Sequence, residues 1–235
     1  MAASGGDRFD WYDQVTPMVF RNRQQFYVGV SGRSIDIGDM DSDGDLDVLL
    51  FGSDVDWQEN LGGGAFATHR IENTVSFGGT ARLADLDSSG TLDVLYSVRF
   101  GAESLSELEL NGPEAVATGD FDGDGDVDVV AISKDDSLVS AWENLGQSDF
   151  SAAVTLDNGF GAPLYDVDIL TTDVDGDGDL DVVAAARGLY WYENRGSFTG
   201  DFEPRQTLWD PLFQTTKILA ADTNGDGLDD PVGNA

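Results

Sequence analysis

The chain has 235 residues, 40% of them hydrophobic, with 45 acidic against 12 basic side chains and a formal net charge of −33. The apolar fraction supports a packed core rather than a disordered chain, while the charge repels nucleic acid and anionic membrane surfaces and requires cations to offset self-repulsion. Cysteine is absent, so disulfides, thiolate metal sites and cysteine nucleophiles are excluded together.

The opening residues Met1-Ala-Ala-Ser-Gly-Gly show neither a basic n-region nor an apolar h-region, so no secretory leader is read there. No apolar run approaches the roughly 20 residues that span a bilayer, so no membrane insertion is expected. Trp11-Tyr-Asp13, followed by Phe20, reads as a strand, a turn and a second strand. Ser34-Ile-Asp-Ile37 is then a short strand that enters Asp39-Met-Asp41-Ser-Asp43-Gly44-Asp45-Leu-Asp47 and leaves through Val48-Leu-Leu-Phe51. Trp57-Gln-Glu-Asn60-Leu-Gly62 and Phe66 complete the unit.

The same order recurs down the chain. A second loop runs Asp85-Leu-Asp87-Ser-Ser89-Gly90-Thr91-Leu-Asp93 before Val94-Leu-Tyr96, and its tail is degenerate at Leu108-Glu-Leu-Asn111-Gly112. The third, Asp120-Phe-Asp122-Gly-Asp124-Gly125-Asp126-Val-Asp128, precedes Val129-Val-Ala-Ile132, Trp142-Glu-Asn144-Leu-Gly146 and Phe150. The fourth, Asp173-Val-Asp175-Gly-Asp177-Gly178-Asp179-Leu-Asp181, precedes Val182-Val-Ala-Ala185, Trp191-Tyr-Glu-Asn194-Arg-Gly196 and Phe198. Lys217-Ile-Leu-Ala220 leads into the fifth, Asp222-Thr-Asn224-Gly-Asp226-Gly227-Leu228-Asp-Asp230. The shared form is D-x-[DN]-x-[DS]-G-x-x-D, set between short, β-branched apolar runs of the kind buried strands use.

No stretch carries a capped helical period, so the fold class is all-β. Loop starts are separated by 46, 35, 53 and 49 residues, and wrapping from the last loop through the chain ends to the first gives 52. The N-terminus holds the back half of a unit and the C-terminus the front half. Four-stranded units of this length arranged radially are a β-propeller. The expectation is one domain over residues 1–235, with blades at about 26–70, 71–112, 113–160 and 161–208, and a fifth made of 209–235 completed by 1–25. The alternative is part of a larger propeller.

The loops point to Ca²⁺, a hard cation that takes six to eight oxygens at about 2.3–2.6 Å. Carboxylates at the first, third and fifth positions converge, glycine at the sixth permits the turn, the seventh offers a backbone carbonyl and the ninth returns a last carboxylate. The ligand set is thus Asp39, Asp41, Asp43, Asp45 and Asp47; Asp85, Asp87, Ser89, Thr91 and Asp93; Asp120, Asp122, Asp124, Asp126 and Asp128; Asp173, Asp175, Asp177, Asp179 and Asp181; and Asp222, Asn224, Asp226, Leu228 and Asp230. The loop Asp85–Asp93, with fewest acids, is the weakest of the five. An EF-hand would need a Glu at position twelve, where Leu50, Tyr96, Ala131, Ala184 and Gly233 stand. A polar turn is the plainer reading of one such loop, but five in register would repel themselves without a cation. Five ions would bring the net charge from −33 to about −23.

These repeats resemble FG-GAP/VCBS repeats, the units of integrin-α-like propellers and of many secreted bacterial and fungal proteins. The namesake element stands at Phe160-Gly-Ala-Pro163. The resemblance implies Ca²⁺-binding loops and a propeller, usually of more than five blades, so five is a departure. It also raises lectin-like carbohydrate binding and cell adhesion.

Catalytic material is sparse: one histidine, His69, read as a surface residue, and 22 of the 45 acids inside the loops. Asp54, Asp56, Glu103, Glu107 and Asp166 share no glycosidase spacing. Trp11, Trp57, Trp142 and Trp191 are expected between blades, with stacking on sugar rings as the alternative. Trp209-Asp-Pro-Leu-Phe213 and Phe100 to Leu105 read as exposed connections fit for a partner. The expected function is a non-enzymatic, calcium-stabilised, monomeric module that binds a glycan or a protein. A calcium-dependent polysaccharide lyase or hydrolase and a purely structural or engineered scaffold are the alternatives. Calcium use implies an extracellular or lumenal location.

Overall fold

The computed structural model describes residues 8–27, 33–73, 79–97, 110, 112–147, 149–160, 164, 167–198, 202–209 and 217–233. Every regular element among them is a β-strand. A hairpin of β1 (Arg8–Thr16) and β2 (Val19–Tyr27) comes first. The first sheet follows as β3 (Ser34–Gly38), β4 (Asp47–Phe51), β5 (Asp54–Asn60) and β6 (Phe66–Asn73), paired in that order. The second shows β7 (Ala81–Ala84) and β8 (Asp93–Tyr96). The third is β9 (Pro113–Gly119), β10 (Asp128–Ser133), β11 (Leu138–Trp142) and β12 (Val154–Asp157). The fourth is β13 (Asp168–Thr172), β14 (Asp181–Ala185), β15 (Leu189–Tyr192) and β16 (Gln206–Trp209), and the fifth is β17 (Ile218–Ala221) with β18 (Asp230–Gly233). All pairings are antiparallel.

The apolar runs form the second strands, and burial on both faces explains why they do not alternate with polar residues. In β4, Leu49 and Phe51 pack with Ala81, Leu83, Val94 and Tyr96 of the second sheet, while Leu50 turns to Phe26 and Phe66. In β10, Val129 and Ala131 meet Ala84, Leu86 and Leu95, while Val130 and Ile132 meet Ile169, Val182 and Ala184 of the fourth sheet. Each interior sheet is thus a layer between two neighbours.

The lead strands β3, β7, β9, β13 and β17 contact one another in chain order. As the edge of its own sheet, each exposes backbone groups that need partners, and side-chain oxygens of the preceding sheet supply them. Ser34 Oγ accepts from the Ala81 N–H at 2.9 Å and Asp36 Oδ2 from the Leu83 N–H at 2.8 Å. Thr80 Oγ1 accepts from the Val116 N–H at 3.0 Å, and Asp168 Oδ2 from the Ile218 N–H at 3.2 Å. The Thr171 hydroxyl reaches the other way, donating to the Thr118 carbonyl at 2.9 Å.

The expected strands are present with their loops between them. Trp209 corrects part of an expectation: it is exposed, as read, but lies in β16, paired with Leu189, because the outer strand of the fourth sheet extends to it. Residues 210–213 and Phe100 to Leu105, with Glu103, Glu107, Asp166 and the side chain of Trp11, lie outside the described residues. Among the described residues no helix is long and apolar enough to cross a membrane.

Replacing Thr80 by valine keeps its shape and leaves the Val116 N–H buried without an acceptor. Urea denaturation should show a loss of about 1–3 kcal/mol. Thr207→Val, on exposed β16, should stay within about 0.5 kcal/mol of the parent.

Candidate metal centres

Each aspartate loop joins the first and second strands of its sheet, and its backbone is shaped by two left-handed positions. The sixth residue is glycine throughout, with φ of +95° at Gly44, +85° at Gly90, +99° at Gly125, +100° at Gly178 and +93° at Gly227. The fourth residue is also left-handed: Gly123, Gly176 and Gly225 in the last three loops, but Ser42 (φ 62°) and Ser88 (φ 57°) in the first two. The sequence signals this second requirement by glycine at position four in three of the five loops, although the D-x-D-x-D-G pattern treats that position as free.

The first aspartate organises the turn. Asp39 Oδ2, Asp85 Oδ2, Asp120 Oδ2, Asp173 Oδ2 and Asp222 Oδ2 accept the N–H of the sixth-position glycine at 3.0, 2.8, 3.1, 3.1 and 3.1 Å. Position five accepts from the N–H of position seven, as Asp43 does from Asp45 at 2.8 Å and Asp124 from Asp126 at 2.9 Å. These bonds hold the carboxylates facing inward.

Carboxylate oxygens converge within 4.8 Å in four loops: Asp39, Asp41 and Asp43; Asp85, Asp87 and Asp93; Asp120, Asp122 and Asp128; Asp173, Asp175 and Asp181. The first cluster draws on Asp43 rather than Asp47. In the fifth loop, Asn224 Nδ2 donates to Asp230 Oδ1 at 3.3 Å, and the Thr223 hydroxyl donates to Asp230 Oδ2 at 2.6 Å. Those bonds from Thr223 hold the Asp230 carboxyl below its ordinary range. Asp45, Asp126 and Asp179 at position seven stand outside the clusters, and the Asp126 carboxylate accepts the Ser88 hydroxyl of the preceding loop at 2.6 Å.

The ninth residue does more than return a carboxylate. Asp47, Asp128 and Asp181 are fully buried at the start of β4, β10 and β14. One oxygen of each accepts the N–H of loop position two (Met40, Phe121 and Val174, each at 2.9 Å). The other accepts the N–H of Asn60, Asn144 or Asn194 at 2.8, 2.7 and 2.8 Å. Burial pushes the Asp128 and Asp181 carboxyls up to about 6 against these stabilising bonds. Loss of solvent, then repulsion from neighbouring acids, also raises Asp41 and Asp175. The donors of all four clusters are hard oxygens, and three of the clusters hold a carboxyl whose charge is disfavoured by its surroundings, which fits a Ca²⁺-type cation.

The asparagine of the Glu-Asn pair that follows the tryptophan (Asn60, Asn144 and Asn194) is the residue whose role the sequence pattern left unread. Asn144 Nδ2 donates to the Val127 carbonyl of its own loop at 3.0 Å and to the Leu86 carbonyl of the preceding loop at 2.8 Å. Asn194 does the same to Leu180 at 3.0 Å and Phe121 at 2.6 Å. Each therefore ties two aspartate loops and two sheets together.

The remaining candidates separate clearly. Trp142 is buried between the second and third sheets, as expected, whereas Trp57 and Trp191 are half-buried. His69 is on the surface, stacked on Trp57 at 4.5 Å and hydrogen-bonded to Glu59 at 2.6 Å. Asp54 and Asp56 are both paired with Arg70, at 3.0 and 2.9 Å.

A family model for the FG-GAP-like repeat matches residues 120–184 and 173–232, taking in the third, fourth and fifth loops. No curated protein matches the chain. Among solved structures, a lectin from Agrocybe aegerita, described for specific recognition of non-reducing terminal N-acetylglucosamine, superposes with a TM-score of 0.60 at 19% identity. The match covers 89% of this chain and 65% of the lectin, so the chain spans a little under two-thirds of that protein's length. The V. cholerae biofilm matrix protein Bap1 matches with a TM-score of 0.37 at 16% identity, over 88% of this chain and 29% of that one.

Nothing lies within 4 Å of a Cβ built at Gly125, so Gly125→Ala isolates the backbone requirement. It should cost about 1–2 kcal/mol in thermal or urea unfolding. Ser42→Gly should act in the opposite sense, stabilising by up to about 1 kcal/mol.

Proposed function

Because the chain carries FG-GAP-like repeats, we propose that it is a calcium-stabilised β-propeller that serves as a non-enzymatic binding module for a glycan or protein partner. The observation that carries this reading is the fourfold recurrence of three convergent carboxylates in glycine-turned loops, each bonded into the sheets behind it. Ca²⁺ would be held by the first, third, fifth and ninth side chains and the seventh carbonyl, with the fifth loop and the loop Asp85–Asp93 as weaker members. When bound, it supplies positive charge to the acidic rim and fixes the loop conformation; the chain's own groups orient the loops and lock the sheets.

The propeller reading is supported by the chain-order contacts of the lead strands and by the two ends. On the first sheet Ile35, Ile37 and Leu46 are exposed, Leu46 at 61%. Equivalent residues inside the array are covered: Ala81, Val116 and Ile169 are buried where Ile35 is bare. At the other end Leu219 and Val232 are exposed. The β1–β2 hairpin already leans on the first sheet through Phe26, which meets the Phe66 ring edge-on at 5.1 Å. The hairpin has the outer half of a blade and β17–β18 the inner half, so docking the two would cover both bare faces and close five blades. A larger ring, with further blades between these ends, is the other way to cover them; the longer lectin chain is compatible with it.

The glycan half of the reading is supported by the fold likeness to a lectin, and an extracellular setting by the calcium levels such loops need. A site filled at 100 times its Kd adds about 2.7 kcal/mol of stability. The calcium-loaded protein should therefore show a β-type circular dichroism spectrum and a melting temperature that drops steeply on adding EDTA. It should also retain members of a glycan array in calcium but not in chelator. An EDTA-insensitive melt would remove the structural-calcium reading, and a silent array would leave a protein ligand as the partner class.

A further inference from the structure

Away from the metal loops, at the seam between the third and fourth sheets, lies a cavity of about 460 Å³ lined by Thr155, Leu156, Asp157, Asn158, Pro204 and Arg205. Its wall is built rather than incidental. The Arg205 guanidinium sits 5.0 Å from the Phe160 ring centroid and 4.7 Å from that of Tyr190, and those two rings meet edge-on at 5.5 Å. Arg205 Nη1 stands 2.9 Å from Asp157 Oδ2. Asp157 is fixed from behind: its Oδ2 accepts the hydroxyl of buried Tyr192 at 2.8 Å, and its Oδ1 accepts the Gly159 N–H at 2.6 Å. The carboxylate is thus fully engaged. The guanidinium is pinned on one side only: Nη1 is buried against Asp157, while the side chain keeps 30% of its surface exposed, so the donors for a ligand are the N–H groups of the fork other than those on Nη1.

The lining chemistry defines what fits. Asp157 and Arg205 cancel each other's charge, so the cavity presents directed donors and acceptors without a net field. Exposed Thr155 and Asn158 add a hydroxyl and an amide, and Leu156 and Pro204 add apolar patches. The volume is in the range of small-molecule sites. A chain of net charge −33 disfavours anionic ligands. A ring with equatorial hydroxyls and an apolar C–H face matches this mixture.

We propose that this cavity is a sugar-binding site for a neutral pyranose unit. Arg205 and Asn158 hydrogen-bond the sugar's oxygens, and Leu156 and Pro204 cover its C–H face. This rests on the reading of the chain as a glycan-binding module and goes further by naming the place and the ligand class.

The test is calorimetric titration of the calcium-loaded full chain with methyl glucoside, N,N′-diacetylchitobiose and glucuronate. Titrations of Asn158→Ala and Arg205→Lys run alongside, each checked by its melting temperature. The expected result is binding of at least one neutral sugar, weakened by about tenfold or more in both variants. Asn158→Ala, at an exposed position, should melt with the parent, so its loss of affinity is not unfolding. Wild-type-like affinity in Asn158→Ala and in a folded Arg205→Lys would overturn this site while leaving the module reading intact. Tighter binding of glucuronate than of the neutral sugars would overturn the ligand class. Absence of any sugar binding by the parent would overturn both this site and the glycan half of the broader reading.

Discussion

A buried carboxylate at the ninth position of the loop is the constraint on which the rest of this molecule depends. Asp128 shows it most completely: it opens β10, is fully removed from solvent, and accepts one backbone N–H from its own loop and one from Asn144. A buried anion without such partners would be costly. Here one carboxylate fixes the loop, the second strand and the tail of the third strand in a single register. Asn144 then carries the restraint across to the Leu86 carbonyl of the preceding loop. Aspartate loops, sheets and neighbouring sheets are therefore one mechanical system.

The same logic resolves how so acidic a chain can pack. Almost half of the acids, 22 of 45, sit in the five loops, and buried strand carboxylates such as Asp56 and Asp168 are bonded or ion-paired, while the second strands pack as apolar layers, as Val129 with Ala131 and Val130 with Ile132 do on opposite sides of β10. Edge strands, ordinarily a liability, are closed by side-chain oxygens from the sheet before: Ser34, Asp36, Thr80 and Asp168. The loops make contacts as well, Ser88 with Asp126 of the next loop, and the end of β13 at Thr172 with Asp229 of the fifth loop. The Arg205–Asp157 cavity lies on an outer seam between two of the sheets tied in this way.

Much of this was legible in the sequence because it is repeated. The apolar runs at Val48, Val94, Val129 and Val182 and the loops before them stand out by recurrence, and each falls on its expected strand or turn. What was not legible is chemistry carried by single residues or across sheets. Thr80 and Ser34 act on the edge of another sheet more than thirty residues away, so no local pattern marks them. Asn144 was visible as part of a motif, but its two carbonyl partners lie in different loops. Trp209 was misread because β16 is fully exposed and lacks an apolar alternation. Asp157, Tyr192 and Arg205 occur once each, and only the fold brings them together.

The most direct test of the central claim is to count the metal. After exhaustive chelation and return to calcium, native mass spectrometry of the full chain should show at least four Ca²⁺ ions bound per molecule, one for each carboxylate cluster. Binding should be lost loop by loop when Asp39, Asp120 or Asp173 is replaced by alanine. A chain that binds no calcium, or takes up magnesium equally well with no preference for calcium, would contradict the account and leave the aspartates as turn-formers on a fold held by packing alone.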